Sequence, residues 1–467
     1  MIDLSATFQL HHRLEDAWRA NPARFEAAAS RADELLRQQQ ATFERRKAMA
    51  GAISALSLNA ASVDSLRQLG ESLHEIVEIA LDWVLADEER LEQYFGEHRR
   101  LFPFLGNRTP GLDSWQGYAR YDAVVTPNGD LKIIELNTCC PAGFCHGQIF
   151  SQATQVALDE LSLGEGVGRQ LGTIPQNALI DALVELEQAA GLSPQLVALI
   201  NDENELENEL TLFQGLLAER GRRAEIVQAA ELIFDGGELR WKDQPISLSY
   251  NKIRVSTDSS PNHNWSPGFE ERYSGFLAAL EAGSLVSVNN LVAATIAEDK
   301  SLLALLADEA FSAQLTLQQR QLVADHVLWT AKLQDGPATR HGEAIDLMPF
   351  VRANREQLVI KPANEGRGFG VVVGRFCSEQ EWLAACELKA ELPCVVQDYA
   401  EAAQLPIISA SQEADSGGAL TSLPMHLTIA LGMIRGKYQG LFSRVSPHPV
   451  TNVGRAGIVQ AVLVDQE

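Results

Sequence analysis

The sequence predicts a protein of several domains, part α+β and part open α/β, and three observations carry that expectation. The first hundred residues repeat apolar positions at three- and four-residue spacing, as helices do. Residues 190–290 alternate strand, helix and strand. A stretch near residue 120 and the last third of the chain instead read as antiparallel runs joined by tight turns.

Composition sets the limits. The chain has 467 residues, 46% of them hydrophobic and 21% charged, enough for a large core and for two or three domains. Its 62 acidic and 38 basic residues give a formal charge of −24, which argues against broad binding to nucleic acid or an anionic membrane. A local basic pocket is still compatible with it. There is no apolar run of about eighteen residues and no basic-then-apolar leader, so a cytoplasmic location with reduced thiols at the six cysteines is expected. Cys139, Cys140, Cys145 and His146 lie close together but match no pair of zinc knuckles, and are expected to be small buried residues.

Region 1–110 is helical, with Ala27–Ala48 and Ser65–Tyr94 as its periodic stretches. It carries no chemical constellation. His11 and His12 read as surface residues and the region as scaffold.

The informative stretch is Tyr118–Asn137, in which two apolar runs flank Pro127-Asn128-Gly129-Asp130. With those four residues as the loop, Thr126 pairs with Leu131, Asp122 with Glu135 and Arg120 with Asn137. Alternation along the strands then gathers Arg120, Asp122, Glu135 and Asn137 on one face. Opposed carboxylates repel unless a cation lies between them, and Asp, Glu and an amide oxygen are hard donors that suit Mg2+. A neighbouring Arg suits a phosphate. The alternative is a solvated outer face, and a register slip of one residue would scatter the cluster.

Gln148–Leu161 reads as a helix, followed by an open α/β domain over 186–295. That domain has no glycine-rich turn after its first strand and so no dinucleotide fingerprint. Lys252 and Arg254 end one of its strands, where such sheets bind ligands; a plain surface strand end fits equally. Asp299-Lys300 opens an apolar-periodic helix. In Leu358–Gly374, a strand ending at Lys361 runs into a turn with Gly366, Gly368 and Gly370, then directly into another strand. A P-loop must lead into a helix, so that reading fails, but a glycine loop between strands can fold over a triphosphate. A simple glycine hairpin explains the stretch as well. Cys394–Tyr399 is a further strand, Gln412–Ala419 an exposed loop, His426–Arg444 a hairpin, Ser446–Gly457 a polar loop and Ile458–Val464 a last strand.

Together these pieces resemble the ATP-grasp superfamily, in which two lobes hold ATP between antiparallel sheets. The resemblance implies that Arg120 stabilises the transferring phosphoryl group and that Asp122, Glu135 and Asn137 ligate magnesium, two ions in all. It implies that Lys300 and Lys361 contact the nucleotide, with Glu365, Gly366, Arg367, Gly368 and Gly370 in the mobile loop. Gln397, Asp398 and Tyr399 would form the adenine hinge, where many members have Glu in place of Gln397. Arg444 would lie near phosphate, with Asn452 in the next loop. In most of the superfamily the metal hairpin follows the phosphate loop, whereas here it precedes it. That order resembles the circularly permuted branch of glutathionylspermidine-synthase-like ligases. The implied domains are 1–110 (helical), 111–185 (core with the metal hairpin), 186–295 (the open α/β, pre-ATP-grasp-like domain), 296–400 (nucleotide lid) and 401–467 (core strands).

The implied activity is an ATP- and Mg2+-dependent carboxylate–amine ligase that forms an amide through an acyl phosphate, with small-molecule substrates. Two alternatives are a ligase that loads a carrier-protein thiol and an ATP-binding regulatory protein without catalysis. No protein nucleophile is required. Lys252, Arg254, Arg352 and Arg367 are candidates to meet a substrate carboxylate, each with a surface or structural role as the alternative. Neither the substrates nor the oligomeric state follow from the sequence.

Overall fold

The computed structural model describes residues 2–465 apart from 44–46, 50, 107, 140, 202–206, 253–268, 367, 391, 411–419 and 454–455. An eight-stranded sheet draws on both ends of the chain. Its strands run in the order Ala55–Leu58, Ile458–Val464, Lys437–Ser446, Leu420–Ile434, Tyr118–Val125 and Leu131–Asn137. Gln404–Ala410 pairs with Leu420–Ile434, and the short strand Gln170–Leu171 pairs with Ile458–Val464. Ala55–Leu58 runs parallel to its neighbour; the other pairings described in this sheet are antiparallel.

Both faces of this sheet are covered, which is why all eight residues of Tyr118–Val125 are buried. Tyr121, Ala123, Leu427, Ile429, Leu431 and Val445 face the long helix Ala60–Leu85. Gly70 of that helix lies against Met433, where a Cβ would sit 2.9 Å from the sulfur. The opposite face carries Ala430, Phe442, Val459, Ala461 and Leu463 under helices Ser5–Ala20, Pro22–Gln38 and Phe144–Glu160. Along that second face the apolar set gives way at Ala430 and Phe442 to Arg120, Asp122 and Arg444.

The 186–295 stretch builds a six-stranded sheet. Ala224–Val227, Leu196–Asn201, Gln244–Lys252 and Val286–Val288 run parallel, and Glu238–Trp241 and Leu232–Asp235 extend it as an antiparallel meander. A four-stranded antiparallel sheet follows, ordered Thr330–Lys332, Cys394–Asp398, Leu358–Pro362 and Val372–Val373. Trp382, Val351 and Leu358 lie at the centre of its own core.

The first region, read from sequence as helical, also supplies a strand of the main sheet, Ala55–Leu58. His11 also differs from the surface reading, being 1% exposed and bonded to the Thr7 carbonyl and the Ser54 hydroxyl. Burial pushes its imidazole down to about 4, so it is neutral at pH 7. Helix Ser5–Ala20 packs against Ala55–Leu58 on that side, a contact between distant segments that helical periodicity does not reveal.

Candidate active site

The hairpin keeps its expected pairing at the functional end and departs from it near the turn. Arg120 pairs with Asn137 and Asp122 with Glu135, as the sequence predicts, but Ala123 pairs with Ile133. The loop begins one residue early, with Thr126 N–H bonded to the Asp130 carbonyl, and a bulge at Ile134 restores the register. A bulge leaves a residue outside the ladder. Here the Ile134 carbonyl accepts a hydrogen bond from Lys361 Nζ at 3.0 Å.

Asp122 is the electrostatic centre of the site and is 2% exposed. Arg120 reaches it through Nε at 2.8 Å and Nη2 at 3.1 Å, and Arg444 through Nη2 at 2.5 Å. Arg444 spans the intervening strand, where the residue paired with Asp122 is Ala430. Both guanidiniums lie over the Phe442 ring, at 5.6 and 5.7 Å from its centroid. Burial works to raise the Asp122 carboxyl, but the two arginines outweigh it and hold the group below its ordinary range. Burial lowers the Arg444 guanidinium, whose Nε has no hydrogen-bond partner among the described residues.

Two lysines enter from other elements. Lys300 is 5% exposed, with Nζ 2.9 Å from Glu135 Oε1 and 2.6 Å from the Glu365 carbonyl. Burial opposes its charge, yet Glu135 first, with Glu298 and Asp299, holds its ammonium above the ordinary value. Lys361, 7% exposed, donates to Gln397 Oε1 at 2.7 Å, and Gln397 Nε2 donates to the Thr330 hydroxyl. Burial pushes Lys361 down to about 8, helped by Lys300 and resisted by Glu135 and Asp122. Arg120, Asp122, Lys300, Lys361 and Arg444, all buried, therefore form one mutually interacting cluster with the partly exposed Glu135 between the main sheet and the four-stranded sheet.

The expected hinge residues are committed to the protein. Gln397 faces Lys361, and Asp398 binds Arg340 at 3.0 Å and His341 at 2.7 Å. Tyr399 lies beneath Arg375, with Phe376 edge-on to its ring. In the glycine loop, Gly368 and Gly370 have φ of +68° and +66°, whereas Gly366 has an ordinary φ and open space around it. A Cβ on Gly368 would lie 2.7 Å from Val450 and 3.9 Å from Asn452, so this loop rests against the 446–457 loop. Arg367, Arg254 and Cys140 fall outside the described residues, as does the 412–419 loop; Lys252 ends a strand, but its side chain is not described. Arg352 pairs with Glu387 at the surface and does not join the cluster. Cys145 and His146 are buried in the first turn of Phe144–Glu160, beside the Glu209 carboxylate.

Sequence reading missed three residues that hold the site in shape. Glu298 accepts the backbone N–H groups of Thr138 and Cys139, just beyond Asn137. Asn289 accepts from Tyr118 N–H at 2.9 Å and donates to the Tyr118 and Thr138 carbonyls, fixing the start of one strand and the exit of the other. His98 bonds to Asp299 and Asn364. Glu298 directly precedes Asp299-Lys300, and that acidic pair beside a lysine was the available signal.

The donor set suits a hard divalent cation. A carboxylate offers about four acceptor positions, and three on Asp122 are taken by guanidinium groups, leaving one. Glu135 is 24% exposed at its side chain. Asn137 has a buried amide nitrogen without a partner among the described residues, and an amide flip would turn an oxygen to that position.

No protein-family model matches the chain, and neither does any curated protein. Among solved structures it resembles a glutathione synthetase-like effector from Globodera pallida in its apo form, with a TM-score of 0.61 and 10% identity over 94% of this chain and 96% of that one. A D-alanyl-alanine synthetase A from Vibrio cholerae aligns with 58% of this chain and 88% of its own at 11% identity and a TM-score of 0.29, too slight a likeness to carry weight. At such identity the likeness speaks for architecture, and along nearly its whole length this chain has the ATP-grasp-like fold of a glutathione synthetase-like protein.

Proposed function

We propose that the protein is an ATP- and Mg2+-dependent ligase that joins a carboxylate to an amine through an acyl phosphate, on an ATP-grasp scaffold in circularly permuted order. The observation that carries this reading is the cluster of buried Arg120, Asp122, Lys300, Lys361 and Arg444 with the partly exposed Glu135, between the main sheet and the four-stranded sheet. Four cationic side chains are gathered there against Asp122 and Glu135, with Glu298 and Asp299 also acting on Lys300, and such a group of cations suits the negative charge of a triphosphate. The shared fold with a glutathione synthetase-like protein supports the same class.

In this reading Lys300 and Lys361 clamp the phosphates, and the loop 365–370 closes over them and excludes water. Arg120 and Arg444, kept charged and oriented by Asp122, stabilise the transferring phosphoryl group and the acyl phosphate. Glu135, Asn137 and the remaining acceptor position of Asp122 would hold Mg2+, which would supply neutralisation of charge on the phosphate oxygens. Gln397, Asp398 and Tyr399 border the adenine side. The substrates approach from the ends of the parallel strands Leu196–Asn201 and Gln244–Lys252, where Asn201 Nδ2 and Asn251 Oδ1 are buried without partners among the described residues.

The test is ADP release with Mg2+ and ATP across pools of carboxylates and amines, beside a Glu135→Ala control. Release that needs two substrates and is lost in the variant supports the ligase. Release that needs a carrier protein moves the acceptor to a thiol. Mg2+-dependent ATP binding without release in any pool would favour a regulatory nucleotide site.

A further inference from the structure

The root of the glycine loop is stitched to the rest of the molecule at three consecutive residues. The Ala363 carbonyl accepts Lys300 N–H at 3.1 Å, Asn364 Oδ1 faces His98 Nε2 at 3.1 Å, and the Glu365 carbonyl accepts Lys300 Nζ at 2.6 Å. His98 Nε2 also lies 2.9 Å from Asp299 Oδ2, while the other oxygen of Asp299 accepts the Ser301 N–H at 2.7 Å. His98 and Asp299 are 3% and 1% exposed. His98 comes from the 3-10 segment Gly96–Phe104, in a region whose sequence shows no chemistry. The same segment meets the four-stranded sheet again where Lys332 Nζ lies 3.5 Å from Glu97, and the helix just before it, Glu88–Phe95, offers the Tyr94 carbonyl to that ammonium at 2.8 Å.

We infer that His98 is a positioning residue for nucleotide binding. It holds Asp299 and Asn364 together and so fixes Lys300 and the hinge of the glycine loop in one arrangement. Both atoms facing Nε2 are oxygens, and a carboxylate only accepts, so the ring must carry its proton on Nε2. Without His98, the buried Asp299 loses a donor and Asn364 its anchor. Lys300 can then follow Glu135 away from the loop, and residues 363–365 lose the fixed base from which the loop swings. This inference rests on the nucleotide-binding reading above.

The experiment measures the affinity of a non-hydrolysable ATP analogue with Mg2+ by calorimetry for wild type, His98→Ala, His98→Gln, Lys300→Met and the His98→Ala/Lys300→Met pair. A charged hydrogen bond and its consequences correspond to a loss of about tenfold in His98→Ala. His98→Gln, which keeps an N–H donor near the Nε2 position, is expected to recover most of it. The double variant should be no weaker than Lys300→Met, because the two residues act through one element. An unchanged affinity in His98→Ala, or losses that simply multiply, overturns the inference. Should His98→Ala not fold, Asn364→Leu removes the loop-side acceptor and is read by the same criteria.

A readout independent of nucleotide is the imidazole 15N spectrum of the free protein. It should show Nε2 protonated, and protonation at Nδ1 alone would refute the geometry. Glu97, His98 and Asp299 also offer ligand atoms within 4.8 Å of one another, so metal content is measured on the same sample. One tightly held transition-metal ion per chain would replace the hydrogen-bonded strut by coordination and overturn it. If wild type binds no analogue at all, the nucleotide reading falls as well; if wild type binds and is indifferent to His98, only the positioning role falls.

Discussion

Lys361 donates to Gln397 at 2.7 Å, so the buried ammonium near the end of Leu358–Pro362 is matched by a neutral amide. Burial pushes this lysine down to about 8. In the free protein it is therefore close to half-charged near pH 8.

Nucleotide affinity is accordingly expected to fall as pH rises through about 8, where the clamp loses its charge. Calorimetry near pH 8.5 in buffers of different ionisation enthalpy should detect proton uptake on binding. The charged groups acting on the ammonium are Glu135, Lys300 and Asp122. For folding the sign is opposite. An unfolded lysine titrates near about 10.4, so between about 8 and 10 the unfolded chain holds more protons and this group's contribution to stability rises with pH. A pH-independent affinity between 7 and 9 would contradict the assignment.

Gln397→Glu places a carboxylate beside Lys361. The drop in affinity should move to higher pH, because an adjacent negative charge favours the ammonium. An unmoved profile would show that burial, not this partner, sets the lysine.

Asp122→Ala leaves Arg120 and Arg444 buried with their shared counter-ion removed. Breaking a buried ion pair from one side costs about 3–5 kcal/mol, a loss that urea denaturation should resolve. The wild-type carboxyl lies below its ordinary value, so its contribution is present above the unfolded pKa near about 3.9 and is lost as pH falls below that. An unchanged urea midpoint in the variant would refute the central role of Asp122.

Gly368→Ala and Gly366→Ala should separate fold from function. Gly368 has a left-handed φ and its Cβ would strike Val450, so alanine should cost about 1–2 kcal/mol of stability. Gly366 has neither constraint, and its alanine variant should keep wild-type stability while weakening nucleotide binding, if the loop closes on phosphate. Equal Tm losses in both variants would sink the distinction.

Arg352→Ala is the negative control among the basic residues singled out from sequence. It is paired with Glu387 at the surface and stands apart from the cluster, so affinity and Tm should stay at wild-type values.

Local pattern was legible where neighbouring residues in sequence determine one another's positions. The Asp122–Glu135 pairing followed from turn chemistry and strand alternation, although the route to it was wrong by one residue at Thr126 and was corrected by the bulge at Ile134. Strand, helix and strand alternation likewise reported the parallel sheet. What could not be read were contacts set by tertiary packing. His11 and His12 are adjacent and chemically identical, yet one is buried and the other exposed, because only one faces Ala55–Leu58. His98 meets Asp299 across 201 residues, and no periodicity near either residue announces it.

Asp122 and Arg444 stand 322 residues apart in the chain. At a synthesis rate of about 5–20 residues per second, roughly 15–60 s pass between their emergence from the ribosome. Throughout that interval the outer edge of Tyr118–Val125 lacks its partner Leu420–Ile434, and an unpaired edge invites aggregation. The parallel sheet of 186–295 pairs within its own stretch and can form in the meantime. A product stopped before residue 420 would own the hairpin and both lysines but neither the strand that closes the sheet nor Arg444. Synthesis past Arg444 is thus also the step that assembles the buried charge cluster, and a chain stopped short of that residue cannot form it.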